Sequence, residues 1–200
     1  RPLIGGDWWL NSLIANNDGS KGAKLPPEFR ALLAKYGTTI VVTLQIPGAF
    51  ESNLWEAIER SANRWLWLLR AHPKYKLEDY DLNLMKEDSL ERPVEIVHSN
   101  CLSFYDLLTV SDLHVTGWST CAQEALAFGI PSVLLHPSGL EAYQAAIEAG
   151  AMFYAHSGNR VVDTCQKALK SDKKQLAAVS EGYFCPPGQS RKHLADFFEG

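Results

Sequence analysis

A chain of 200 residues with 46% apolar and 21% charged side chains has the balance of an ordinary globular protein, long enough for one well-buried domain or two small ones. Its formal net charge of −4 argues against a nucleic-acid or polyanion binder, and no apolar run approaches membrane-spanning length. Four widely spaced cysteines (Cys101, Cys121, Cys165 and Cys185), with no C-x-x-C, argue against a disulfide framework or a metal site and for reduced, packed thiols.

Residues 1–27 hold a short apolar cluster (Trp8, Trp9, Leu10, Leu13, Ile14) and then the polar run NNDGSKGAK; they read as a linker or the remnant of an upstream domain. The first residue is Arg1 and no signal-peptide pattern follows, so a fragment or processed product in the cytoplasm is expected, soluble or peripheral to the inner face of a membrane. Residues 28–200 read as one domain. Pro26-Pro27 opens a helix to about Tyr36, with Phe29, Leu32 and Leu33 on one face and Gly37 as its stop. Thr38 to Leu44 is β-branched and apolar throughout, the pattern of a parallel strand covered on both faces. Gln45-Ile46-Pro47-Gly48 makes a loop, and Glu51 to Asn63 carries Leu54, Ile58 and Ala62 at helical spacing.

Trp65 to Leu69 is a second strand ending in Arg70-Ala71-His72-Pro73, where the proline keeps His72 out of helix. The polar stretch from Lys74 to Arg92 holds one short helix around Leu82 to Lys86. Val94 to Val97 is a third strand followed by His98-Ser99-Asn100, and Ser103 caps a helix with Phe104, Leu107 and Leu108 inward. Then comes DLHVTGWSTCAQEALAFGIPSVLLHP, Asp112 to Pro137: strand (Leu113 to Thr116), polar turn (Gly117 to Thr120), helix (about Cys121 to Phe128), strand (Ser132 to Leu135). Two strands joined by one helix must be parallel. Leu140 to Ala149 is a helix stopped by Gly150, Met152 to Ala155 a sixth strand, and Asn159 to Lys170 and Asp172 to Val179 two more helices. Cys185-Pro186-Pro187-Gly188 breaks the chain before a last helix, Ser190 to Phe198. Strands alternating with helices six times define an α/β fold, a Rossmann-like doubly wound parallel sheet of about six strands.

In such sheets ligands bind beyond the carboxyl ends of the strands. Those ends supply Gln45 and Gly48, Arg70 and His72, His98, then Gly117, Ser119, Thr120 and Glu124, then His136. Arg70 with His72 suits a phosphate or pyrophosphate, although a histidine before proline also suits a structural role. Ser119 and Thr120 fit both a helix cap and a phosphate cradle, since the two use the same geometry. Glu124, one helical turn on, fits either the helix dipole or the paired hydroxyls of a ribose. No G-x-G-x-x-G follows the first strand, no P-loop is present, and G-x-S-x-G is approached only as Gly117-Trp118-Ser119-Thr120-Cys121, without its last glycine.

The order of strand–Gln loop, strand–Arg-x-His-Pro, and T-x-x-Ser-Thr-x-x-x-Glu-Ala-x-x-x-Gly-x-Pro-Ser-Val resembles the C-terminal half of GT-B-fold glycosyltransferases and of the UDP-N-acetylglucosamine 2-epimerases that share the architecture. It spans about Thr38 to Leu169, and its strongest piece is Ser119-Thr120 with Glu124-Ala125, Gly129 and Pro131. Arg70-x-His72-Pro73 is similar to the His-Pro motif of bacterial sialyltransferases and of capsule and teichoic-acid polymerases, whereas LEAYQAAIEAG (Leu140 to Gly150) is similar to the epimerases. The sialyltransferase double serine is Ser-Thr here, and the epimerase arginine after the fifth strand is His136.

The resemblance implies a nucleotide-sugar donor linked to CMP, CDP or UDP, with its phosphate held by Arg70, His72, Ser119 and Thr120. Glu124 and His98 would take the ribose or base, with Gln45, Gly48, Gly117 and His136 as further contacts, and neither metal nor resident cofactor is implied. It implies an upstream Rossmann-like acceptor domain that supplies the catalytic base, so this chain alone should bind nucleotide without transferring sugar, its whole serving polysaccharide or glycoconjugate synthesis. An epimerase-like enzyme and a non-catalytic partner module with the same fold are the alternatives.

Overall fold

The computed structural model describes Leu10, residues 25–80 and residues 93–184. The rest of the N-terminal apolar cluster, the polar run after it, the helix expected at 82–86 and everything beyond 184, including the last expected helix, lie outside the described residues.

Six strands form one parallel sheet: β1 (Thr38–Thr43), β2 (Trp65–Arg70), β3 (Val94–Glu95), β4 (Leu113–Thr116), β5 (Ser132–Leu134) and β6 (Met152–Tyr154). Their order is β3-β2-β1-β4-β5-β6, and every neighbouring pair is parallel. The apolar runs are central strands. Five of the six residues of β1 and five of the six of β2 are buried, which only a sheet covered on both faces allows.

Nine α-helices accompany them: α1 (Pro27–Leu33), α2 (Glu51–Arg60), α3 (Val97–Cys101), α4 (Phe104–Leu108), α5 (Cys121–Ala127), α6 (Pro137–Ala142), α7 (Gln144–Glu148), α8 (Gly158–Ala168) and α9 (Lys173–Ser180), counted among the described residues. On one face Ile40, Val42, Trp65, Trp67, Leu69, Val115 and Val133 meet Leu54 and Ile58 of α2 and Val161 and Cys165 of α8. The other face of β1 and β2 (Val41, Leu66, Leu68) is covered by Phe29 of α1, Phe104, Leu107 and Leu108 of α4 and Ala125 of α5. A third cluster joins α5, α7 and α9 through Ala122, Leu126, Ala146 and Leu176 against Leu134 and Met152.

Local chemistry sets the helix ends. Ser103 Oγ accepts the Asp106 N–H and Asp172 accepts that of Lys174, so both expected starts are capped. Gly129 (φ 70°) ends α5 in a Schellman turn, with Ile130 N–H on Ala125 O and Gly129 N–H on Leu126 O.

Two elements differ from expectation. The third strand stops at Glu95 rather than Val97, because the Glu95 carboxylate accepts the N–H groups of His98 (2.6 Å) and Ser99 (2.9 Å) and starts α3 instead. His98, Ser99 and Asn100 therefore lie in a helix. The single helix expected over Leu140 to Ala149 is two helices that break at Tyr143, whose ring is buried and whose hydroxyl donates to Ser119 O (3.0 Å). A tertiary seat for one side chain overrides helix propensity there.

Candidate functional site

The sheet order reverses between β1 and β4, and the crevice beyond their carboxyl ends is the natural ligand position. Gln45 follows β1 and the Gly117–Thr120 turn follows β4. The buried Gln45 side chain spans the gap: its Oε1 accepts the Trp118 N–H at 2.6 Å and lies 3.4 Å from Thr116 Oγ1. Gly117 lets the two approach closely, since a Cβ would stand 2.6 Å from that Oε1 and 3.1 Å from the Phe50 ring and would displace the Gln45 amide.

One hydroxyl ties in the next loop. Tyr80 Oη donates to Gln45 O (2.8 Å) and accepts the His72 N–H (3.0 Å), so the segments after β2, β1 and β4 are joined by hydrogen bonds. Gly48 (φ 83°) sits in the β1 loop, and its N–H is taken by Glu51 Oε1 while Glu51 Oε2 takes that of Phe50. Gly48 thus shapes the loop with its amide already engaged.

At the turn, Ser119 Oγ accepts the Cys121 N–H (3.2 Å) and Tyr143 Oη donates to Ser119 O (3.0 Å). Among the described residues no hydrogen bond reaches the N–H of Ser119 or Thr120. Burial, then Tyr183, Cys121 and Glu124, push the Tyr143 phenol up to about 12, so it stays a protonated donor. Glu124 is half-buried one turn into α5, close enough for its charge to act on both Cys121 and Tyr143. Burial raises the Cys121 thiol, with Arg70 opposing. Ser119, Cys121 and Tyr143 are thus joined by hydrogen bonds at the turn.

The half-buried Arg70 guanidinium donates through Nη1 to Ser99 O (2.8 Å) and to Leu102 O, which fixes it at the end of α3. Burial lowers its pKa, but a guanidinium stays charged at any physiological pH. His72 is exposed; its Nδ1 accepts the Lys74 N–H at 3.1 Å, so the neutral ring carries its proton on Nε2. His136 uses Nδ1 likewise to accept the Ser138 N–H (3.2 Å), and its ring centroid is 4.4 Å from that of Trp118.

His98 is placed differently. Its Nδ1 is 3.0 Å from Glu95 Oε1, its Nε2 3.7 Å from Glu28 Oε1, and its ring stacks on Phe29 at 5.1 Å; none of these neighbours belongs to the turn. The residues to which sequence reading gave no role are Tyr80, Trp118 and Tyr143, while Cys121, read as a packed thiol, is a free, partly buried one. Trp118 was open to notice as an aromatic inside the polar turn. Nothing local ties Tyr80 or Tyr143 to the crevice, since the carbonyls to which they donate are 35 and 24 residues away.

This sheet order and crevice are those of a Rossmann-like doubly wound domain, and its fold is similar to that of GT-B proteins. A Listeria monocytogenes protein described as a UDP-N-acetylglucosamine 2-epimerase superposes with a TM-score of 0.71 at 18% identity, covering 99% of this chain and 54% of that one. The UDP-GlcNAc 2-epimerase of Neisseria meningitidis bound to UDP-GlcNAc gives 0.60 at 12% identity (98% and 54% covered), and the wall teichoic acid polymerase TagF gives 0.59 at 14% (93% and 47%). The chain spans about half the length of these structures. No family model matches the sequence, nor does any curated protein. At these identities the likeness is one of fold.

Proposed function

We propose that this chain is the donor nucleotide-sugar-binding domain of a GT-B glycosyltransferase acting in polysaccharide or glycoconjugate synthesis. The observation that supports the reading is the Gly117–Thr120 turn at the β1/β4 crevice, with Glu124 one helical turn on in α5 and Arg70 at the end of neighbouring β2. The donor phosphate lies against the Ser119 and Thr120 amides and hydroxyls, where Arg70 acts as a fixed positive charge and the His72 Nε2–H as a donor. Glu124 accepts from the ribose hydroxyls. As the sugar leaves, negative charge grows on the phosphate, and donors already oriented towards it stabilise that charge without reorganising.

The catalytic base and the acceptor site belong to a second Rossmann-like domain that closes over this edge. Ile46 (53% exposed) and Val97 (70%) support that closure: these exposed apolar residues lie on the segments that follow β1 and β3. The isolated chain then binds nucleotide and transfers no sugar. Epimerases among the similar structures favour a second reading, a UDP-N-acetylglucosamine 2-epimerase-like enzyme built on the same donor site; turnover of UDP-GlcNAc by the two-domain protein separates the two.

Calorimetric titration with UDP, CDP and CMP tests the site. One of them should bind selectively. Glu124→Ala should weaken it by about tenfold or more, as loss of a hydrogen bond to a charged group does, and Ser119→Ala by a smaller factor. Absence of binding to all three at millimolar concentration contradicts the proposal, and full retention of affinity in both variants contradicts the assigned roles.

A further inference from the structure

Trp118 has no part in the phosphate or ribose contacts, yet it stands inside the turn. Its backbone is held from two sides. The N–H is bonded to buried Gln45 Oε1, and the preceding carbonyl, Gly117 O, lies against Gly139 so closely that a Cβ there would collide with it. The indole is half-buried and tilted 49° against the His136 ring at 4.4 Å. His136 is itself fixed by the Ser138 N–H on its Nδ1. A large aromatic surface is thus oriented by the backbone, supported by a second ring and left partly open.

The order of groups along the site decides what that surface meets. Along the chain Glu124 follows Ser119 and Thr120 by one helical turn, and Trp118 directly precedes them, its ring against His136 at the end of β5. A nucleoside phosphate whose ribose reaches Glu124 and whose phosphate rests at Ser119 and Thr120 directs its remaining substituent towards Trp118. We propose that Trp118, with His136 behind it, is the subsite for the glycosyl group of the donor, taking the C–H face of a pyranose ring against the indole. This rests on the donor-site reading above. An aromatic face suits such a ring because its apolar C–H edges meet the electron-rich π surface while the ring hydroxyls stay in water.

The test compares each nucleotide with its sugar ester on one protein: UDP with UDP-N-acetylglucosamine, CDP with CDP-glucose, CMP with CMP-N-acetylneuraminate. Wild type, Trp118→Ala and Trp118→Phe are titrated by calorimetry, and the intact fold of each variant is checked by its far-UV spectrum. For the pair that binds, Trp118→Ala should weaken the sugar ester by about five- to tenfold while leaving the bare nucleotide within about twofold, and Trp118→Phe should recover most of the loss. Binding of the sugar ester should also shift the tryptophan emission of the wild type by an amount that Trp118→Phe removes. Equal weakening of ester and nucleotide, or no weakening of either, overturns the subsite and leaves the donor-site reading standing. Failure of the wild type to bind any of the six compounds overturns both.

Discussion

The residue with the most unusual environment among those described is His114, in the middle of β4. It is fully buried, with Nε2 2.9 Å from Thr43 Oγ1 and Nδ1 2.9 Å from Ser132 Oγ, and the Phe104 ring meets its edge at 5.6 Å. One nitrogen of the neutral ring donates and the other accepts, so both hydroxyls are met, while a second proton would bring a charge into the core with no opposite charge among the described residues to balance it. Burial accordingly pushes its pKa down to about 3. The folded state holds the ring neutral while an unfolded chain takes up the proton near pH 6.5, so this group's contribution is complete above that pH and declines as pH falls towards 3. Between pH 7 and pH 5 the decline is about 2 kcal/mol. Urea unfolding of wild type at the two pH values, with His114→Asn alongside to subtract the other histidines, should show that loss only in the wild type; equal pH dependence in both proteins would contradict it. Nothing in Leu-His-Val-Thr reveals this. The hydroxyls that bond to the ring come from positions 71 and 18 residues away.

Elements reach the site through close backbone contacts, and the seam between the β4 turn and α6 is one of them. Gly139 in the first turn of α6 faces Gly117 O, with Leu134 Cβ 3.1 Å from where its own Cβ would be. Gly139→Ala would force backbone against backbone, with no flexible side chain to give way, and should destabilise by about 1–3 kcal/mol, read as a lower denaturant midpoint at unchanged slope. It should also weaken nucleotide, because the displaced turn carries Ser119 and Thr120. An unchanged midpoint would show that the seam is looser than described. Gly117 and Gly139 stand out in the sequence only as glycines near strand ends; that they are packed against each other is a tertiary fact. The same limit explains the two mistaken elements. The β-rich Val94-Glu95-Ile96-Val97 reads as a strand until the Glu95 carboxylate caps the next turn, and Leu140 to Ala149 reads as one helix until Tyr143 is drawn to Ser119 O.

For the whole molecule, the alternation of buried strands with amphipathic helices carried the parallel sheet and its six strands, because both follow from local periodicity and from the length of each connection. The order β3-β2-β1-β4-β5-β6, which places Gln45 beside Gly117 and Arg70 near Cys121, depends on which strands pair and is not written in any one segment. His98 is the residue most affected: counted along the chain it ends a strand like the others, but in space it is clasped between Glu95 and Glu28. The central claim is that the crevice beyond β1 and β4 holds the nucleotide. Amide chemical-shift mapping of the chain against UDP, CDP and CMP locates the ligand directly. The largest shifts should fall on Ser119, Thr120 and Cys121, with Glu124 and the Arg70–His72 segment next. Shifts that cluster instead at the opposite end of the sheet, around Gly37, Asp112 and Gly129, or an unchanged spectrum with all three nucleotides, would contradict the account.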